Sequence, residues 1–86
     1  MPLLADTFDT PDEYLAAYFM ALGFIVQGLC RVAGDWRLHY LFLVTPRLTT
    51  ALRDYETNGP IPVQTYRQML ERLQLKIRRF REEEAA

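Results

Sequence analysis

The chain has 86 residues, of which half are apolar and 24% are charged, with a formal net charge of −1. This length permits one domain, and the apolar fraction is that of a globular chain rather than a disordered one. The near-neutral balance excludes a global field that would draw the chain to nucleic acid or anionic lipid. One cysteine cannot form an internal disulfide, and acids stand where the basic region of a signal peptide would lie. We therefore expect a reducing cytoplasmic setting.

The segment TPDE at residues 10–13 predicts the start of the first helix. Thr10 can cap the helix, a proline suits its first position, and Glu13 closes a capping box three residues after the cap. The apolar pattern that follows predicts a helix over 11–33. Gly34 would end it in the left-handed conformation.

The run WRLHYLFLV over 36–44 is ambiguous, because its aromatic and branched residues suit a strand as well as a helix. The pattern offers no second strand for it to pair with, and lone strands do not persist, so we predict a helix. Thr45 and Pro46 then cap or kink a further helix over 46–57, roughly in line with the preceding one. The segment NGPIP at 58–62 predicts a break.

The last predicted helix, 62–83, has the most regular apolar spacing in the chain. Its apolar residues recur at steps of three and four and form a heptad seam, from which Leu75 points away. We therefore predict an all-α antiparallel bundle of three to four helices, over residues 10–84. A flexible acidic lead-in over 1–9 would precede this single domain.

The predicted first helix is apolar on both faces, so both faces need cover. Its uninterrupted apolar run, 15–26, is shorter than the about 20 residues that a bilayer-spanning helix needs. A chain of this size cannot cover both faces itself, so we expect a homodimer or higher oligomer, with a hetero-protein partner as the alternative. The predicted contact residues are Ala16, Phe19, Met20, Gly23, Phe24, Gln27, Trp36 and Leu75.

The last predicted helix is also basic, with six basic residues against one acid over 62–81. Such a helix can bind nucleic acid or an acidic protein partner. The candidate contacts are Arg72, Lys76, Arg78, Arg79 and Arg81. The alternative is a solvated face whose charges are neutralised by pairs four residues apart. Those pairs would be Arg67–Glu71, Arg78–Glu82 and Arg79–Glu83.

No residue pattern predicts catalysis, a metal site or a cofactor. His39 is the only histidine. As a general base it would need a carboxylate such as Asp35, four residues earlier, and we expect instead a partly buried histidine bonded to that carboxylate or to a carbonyl. Cys30 is expected to be a buried, inert thiol, because a metal site needs more ligands than one cysteine and one histidine.

The sequence thus predicts a small non-enzymatic interaction or assembly module that acts by self-association or as a subunit of a larger complex. A nucleic-acid-binding subunit or regulator that uses the basic C-terminal helix is the alternative. A membrane-associated helical protein is the third possibility considered. The caps, the turn and the heptad seam are general features of helical proteins and indicate no particular family.

Overall fold

The computed structural model describes residues 6–85 and shows an α+β fold, so the prediction of an all-α helical bundle is wrong. Two of the three strands lie inside segments whose apolar residues also suit helices. Residues 1–5 of the predicted lead-in lie outside the described residues. The elements, in chain order, are β1 (Thr7–Thr10), α1 (Glu13–Ala21), β2 (Gly28–Arg31), β3 (Leu38–Leu43), α2 (Pro46–Glu56) and α3 (Val63–Ala85).

The strands form one antiparallel sheet in the order β1–β3–β2. Phe8 of β1 pairs with Phe42 of β3, and Leu29 of β2 pairs with Tyr40. Because side chains alternate along a strand, these four residues lie on one face of the sheet. Phe42 and Tyr40 join the core with residues of all three helices, so this inner face is the one that the helices cover.

The predicted helix over 11–33 is wrong at both ends. It begins at Glu13, where Asp12 rather than Thr10 is the N-cap, and it ends at Ala21, far before the predicted stop at Gly34. Gly23 takes a left-handed φ of 97°, and the Phe24 amide donates to the Phe19 carbonyl at 3.0 Å. This is a glycine-type helix termination, which the apolar pattern had placed at Gly34. The branched residues that follow favour an extended chain, and the segment runs on into β2.

The predicted helix over 36–44 is also wrong, because residues 38–43 form the central strand β3. The segment pairs on one side with β1 and on the other with β2, and neither partner was recognised as a strand in the sequence. Thr45 and Pro46 do not continue a helix across the proline but begin α2. The Thr45 hydroxyl accepts from the Leu48 amide at 3.1 Å, as an N-cap does.

The helices α2 and α3 lie within two residues of the predicted helices over 46–57 and 62–83. In the turn between them, Asn58 takes a left-handed φ of 61°. Gly59 lies so close to α1 that a Cβ atom there would be 2.8 Å from the Tyr18 hydroxyl oxygen. The turn therefore packs directly against the first helix.

The core lies between the inner face of the sheet and the helices, with Phe19 at its centre. The Phe19 ring packs edge-on against Phe8, Phe24 and Phe42, with ring centroids 6.0, 5.7 and 5.1 Å away. Leu73 of α3 is fully buried in the same cluster. Burying each such side chain contributes about 1.5–3 kcal/mol. Leu73 is the one fully buried residue of α3, Tyr66 and Ile77 pack partly buried beside it, and much of the helix stays exposed.

Candidate interaction groove

A groove of about 910 Å³ lies between the start of α1, the strand β3 and the C-terminal half of α3. Leu38 and Tyr40, both buried, form its base, and Trp36 in the loop between β2 and β3 stands at its edge. We call this surface the Trp36 groove. Its lining residues are Pro11, Asp12, Glu13, Tyr14, Trp36, Arg37, Leu38, Tyr40, Gln74, Ile77, Arg78, Arg81, Glu82 and Ala85.

Trp36 is 82% exposed, although the loop that carries it is held by the fold. Its carbonyl oxygen accepts from Arg31 Nη1 at 2.9 Å. The same guanidinium donates to Glu84, near the end of α3, through Nε at 3.0 Å and Nη2 at 2.7 Å. The hydrogen bonds between Arg31 and Glu84 raise the pKa of Arg31 and lower the pKa of Glu84. The loop is thereby fastened to α3 across the sheet edge.

A second polar network, which we call the His39 clamp, fixes the same loop from the outer face of the sheet. His39 Nε2 lies 2.7 Å from Asp35 Oδ2, and Nδ1 lies 2.7 Å from Asp9 Oδ2. Both carboxylates act as acceptors when the ring is a doubly protonated imidazolium. The bond to Asp35, followed by the bond to Asp9, raises the pKa of His39.

Asp35 also binds Arg37, on the other side of Trp36. The Asp35 carboxylate accepts from the Arg37 backbone amide at 3.0 Å and from Nε and Nη2 at 3.0 and 3.1 Å. These hydrogen bonds, with that from His39, lower the pKa of Asp35 well below its usual range. Trp36 is thus flanked by two residues that bind each other, which limits the positions that its backbone can take.

The His39 clamp does not have the geometry of a catalytic base. Both ring nitrogens of His39 are engaged by carboxylates, so neither is free to take a proton from a substrate. Cys30 is half-buried and pairs with His39 across the β2–β3 ladder. No group of three or more histidine, cysteine or acidic side chains within residues 6–85 is arranged to hold a metal ion. The expectation that the chain is not an enzyme stays a prediction.

The electrostatics of the Trp36 groove centre on Tyr40. Burial is the main cause that raises the pKa of Tyr40, and Glu13 and Asp12 raise it further, whereas Arg81 lowers it. The negative charges of Asp12 and Glu13 and the positive charge of Arg81 therefore all act on the base of the groove.

The residues predicted as a contact surface occupy three different environments. Ala16 and Phe19 have no exposed surface, because they belong to the core of the chain itself. Met20 and Phe24 are half-buried, and Arg47 lies over the Phe24 ring at 4.6 Å from its centroid. The exposed members are Gly23, Gln27, Trp36 and Leu75, of which only Trp36 borders the groove.

The five basic residues predicted to contact nucleic acid or an acidic partner divide into two groups. Arg78 and Arg81 line the Trp36 groove, whereas Arg72, Lys76 and Arg79 are exposed on α3 outside it. Of the three neutralising pairs predicted on this helix, the structure forms Arg67–Glu71 at 3.4 Å, which involves none of the five residues. The other two pairs are not formed in the part of the chain that the structure describes.

Several groove residues were not predicted from the sequence as site residues. Tyr14 was not among the predicted contact residues, yet it is 55% exposed and lines the groove. Tyr40 and Arg37 reach the groove because their segment forms β3 and the loop before it, rather than a helix. The pairing of Asp9 with His39 spans thirty residues and leaves no local signal. A strand assignment for 38–43 would have been needed to find them.

Comparisons with models of protein families, with curated proteins and with solved structures found no match to this chain. Among the residues that the structure describes, no helix combines the length and the apolar character needed to cross a membrane.

Proposed function

We propose that this chain is a small non-enzymatic interaction module that binds a segment of a partner protein in the Trp36 groove. The observation that carries the proposal is an 82% exposed tryptophan held by two polar networks at the edge of a concave surface. Tryptophan, tyrosine and arginine are the residues that most often dominate the binding energy of protein interfaces. Trp36, Tyr14 and Arg81 bring all three types together here, each with exposed surface in the groove.

The two networks that fix the loop support this function. A loop that is already held in place loses less conformational entropy when it binds, so more of the contact energy appears as affinity. Arg31 bonds the Trp36 carbonyl, and the residues on either side of Trp36 bond each other. The backbone that carries the exposed indole is therefore held in a defined position.

A partner of different sequence is favoured over a homodimer. Of the eight residues predicted to contact a second copy, Ala16 and Phe19 are enclosed in the core of the single chain and have no surface to offer it. We expect light scattering to give the mass of one chain, 10.1 kDa. A mass of at least twice that value would favour self-association instead.

The test is selection of displayed random peptides on the immobilised protein, followed by titration of the enriched peptides. Trp36 is the only tryptophan, so its own fluorescence reports occupation of the groove. We expect its emission to shift to shorter wavelength as peptide excludes water from the indole. We expect Trp36→Ala, measured by calorimetry, to weaken binding by about thirtyfold or more, which corresponds to a loss of about 2 kcal/mol.

The matched control is Leu75→Ala, which removes an apolar side chain that is 42% exposed on α3 but lies outside the groove. This variant should bind the same peptides with unchanged affinity. The proposal is wrong if no peptide is enriched, or if the enriched peptides bind Trp36→Ala as tightly as the unaltered chain.

Binding of nucleic acid through α3 is the second candidate. Arg72, Lys76 and Arg79 are exposed on α3 and form no ion pair within residues 6–85. Such a surface would bind labelled single-stranded RNA or duplex DNA more weakly as salt increases, and Arg72→Glu/Arg79→Glu would abolish binding. Absence of any anisotropy change at about 50 mM salt would exclude it.

A further inference from the structure

The two sides of the Trp36 groove carry different charges. On the α1 side, Asp12 and Glu13 line the groove, and no basic residue does. On the α3 side, Arg78 and Arg81 line it, with Glu82 as the one acid. Both sides act on the same point, since the pKa of Tyr40 is raised by Glu13 and lowered by Arg81. The groove is therefore bounded by an acidic wall and a mainly basic wall.

The charges of both walls are available to a ligand. Arg78 and Arg81 form no ion pair in the described part of the chain, and neither does Glu13. Asp12 uses Oδ1 to cap α1, where it accepts from the Tyr14 amide at 3.0 Å. The third arginine of the groove, Arg37, is already bound by Asp35. It is therefore less available to a ligand than Arg78 and Arg81 are.

The surface between the walls is apolar and aromatic. Trp36 and Tyr14 are 82% and 55% exposed, and Ile77 of α3 lies half-buried beside the buried base. Apolar and aromatic side chains of a ligand would find contacts here, whereas a continuous row of phosphates would face Asp12 and Glu13 along one side. This arrangement suits a peptide better than a nucleic-acid backbone.

We infer that the partner segment carries separated charges, with basic residues that face Asp12 and Glu13, acidic residues that face Arg78 and Arg81, and an apolar residue between them. This inference rests on the proposed function, because it names the chemistry of the segment that the Trp36 groove binds. Complementary charges across an interface fix the register of the partner and disfavour partners that place like charges against each other.

The experiment repeats the peptide selection with a charge-reversed protein, Arg78→Glu/Arg81→Glu. Peptides selected on the unaltered chain should contain both acidic and basic residues, and the charge-reversed variant should bind them at least tenfold more weakly. Peptides selected on the variant should have lost their acidic residues. The matched control is Arg72→Glu/Arg79→Glu, which makes the same change of charge on the same helix outside the groove and should leave affinity unchanged.

A second measurement does not depend on any variant. Binding of the selected peptides to the unaltered chain should weaken between about 50 and 500 mM NaCl, because exposed charge pairs are screened by salt. Suppose that peptides are enriched and need Trp36 for binding. If these peptides lack the charge pattern, or bind Arg78→Glu/Arg81→Glu and Arg72→Glu/Arg79→Glu equally, the inference fails and the proposed function stands. If no peptide is enriched, or if nucleic acid binds in place of peptide, both fail.

Discussion

Phe19 offers the most direct test of the fold, because the sequence pattern and the structure place it in opposite environments. The helical prediction placed Phe19 in the contact with a second molecule. A continuous helix over 11–33 would turn Ile25 about 120° around its axis, away from that contact and toward the bundle. In the structure Phe19 is 0% exposed and Ile25 is 73% exposed. The two arrangements therefore differ in which substitution lowers the stability more. In the structure it is Phe19→Leu, whereas in the predicted helix it would be Ile25→Ala.

The expected loss for Phe19→Leu follows from its contacts. The ring lies edge-on to three other rings at 5.1–6.0 Å, and each such pair contributes about 0.5–1.5 kcal/mol beyond the buried area. Leucine keeps most of the apolar volume, so we expect a net loss of about 1–3 kcal/mol. A small domain has about 5–10 kcal/mol in total, so the variant should still fold. Its melting temperature should fall by about 4–8 °C for each kcal/mol.

The assay is urea unfolding followed by far-ultraviolet circular dichroism at two protein concentrations that differ by about twentyfold. We expect the same loss of stability at both concentrations, because the ring is buried within one chain. A contact with a second copy would make the midpoint rise with concentration. The control, Ile25→Ala, should change stability by at most about 0.5 kcal/mol. A larger loss for Ile25→Ala than for Phe19→Leu would refute the structural assignment.

Three further outcomes are expected. The folded state raises the pKa of His39 above 6.5. The stability that the charged ring contributes should therefore be complete below about pH 6.5 and decline as pH rises through the raised pKa. In urea titrations His39→Gln should lack this decline, and a pH profile equal to that of the unaltered chain would contradict the His39 clamp. Gly59→Ala should lower the melting temperature, because its Cβ would lie 2.8 Å from the Tyr18 hydroxyl oxygen, whereas Gly28→Ala, whose nearest neighbour is at 4.0 Å, should melt nearly as the unaltered chain does. Thr45→Ala should cost about 1 kcal/mol in urea unfolding through loss of the α2 cap, and an equal loss on replacing an exposed threonine inside α2 would argue against that role.

The local sequence was sufficient to predict α2 and α3. Thr45 and Pro46 specify a helix start by groups that lie next to each other in the chain, and the Asn58–Gly59 pair specifies the stop. Leu73, which is fully buried, is one of the apolar residues spaced by three and four that predicted α3, so the same spacing also identified the buried side of this helix. These signals succeeded because each depends on residues within about one or two helical turns.

The sheet and the groove required the tertiary structure. The segment that became β3 suits a helix or a strand by composition, and its strand form is stabilised by pairing with two segments that are distant in sequence. Gly23 and Gly34 are both able to end a helix, and only the packing of the following chain as β2 shows that the first does so.

By itself, then, the sequence determined the helical second half of the chain and the concentration of basic residues on its last helix. Only the tertiary structure decided that Phe19 is core, that Trp36 is held in the open, and that Asp12 and Arg81 border one groove. The physical reason is range. Caps and helical periodicity act between neighbours, whereas Asp9–His39 and Arg31–Glu84 join residues 30 and 53 positions apart, which come together only when the sheet forms.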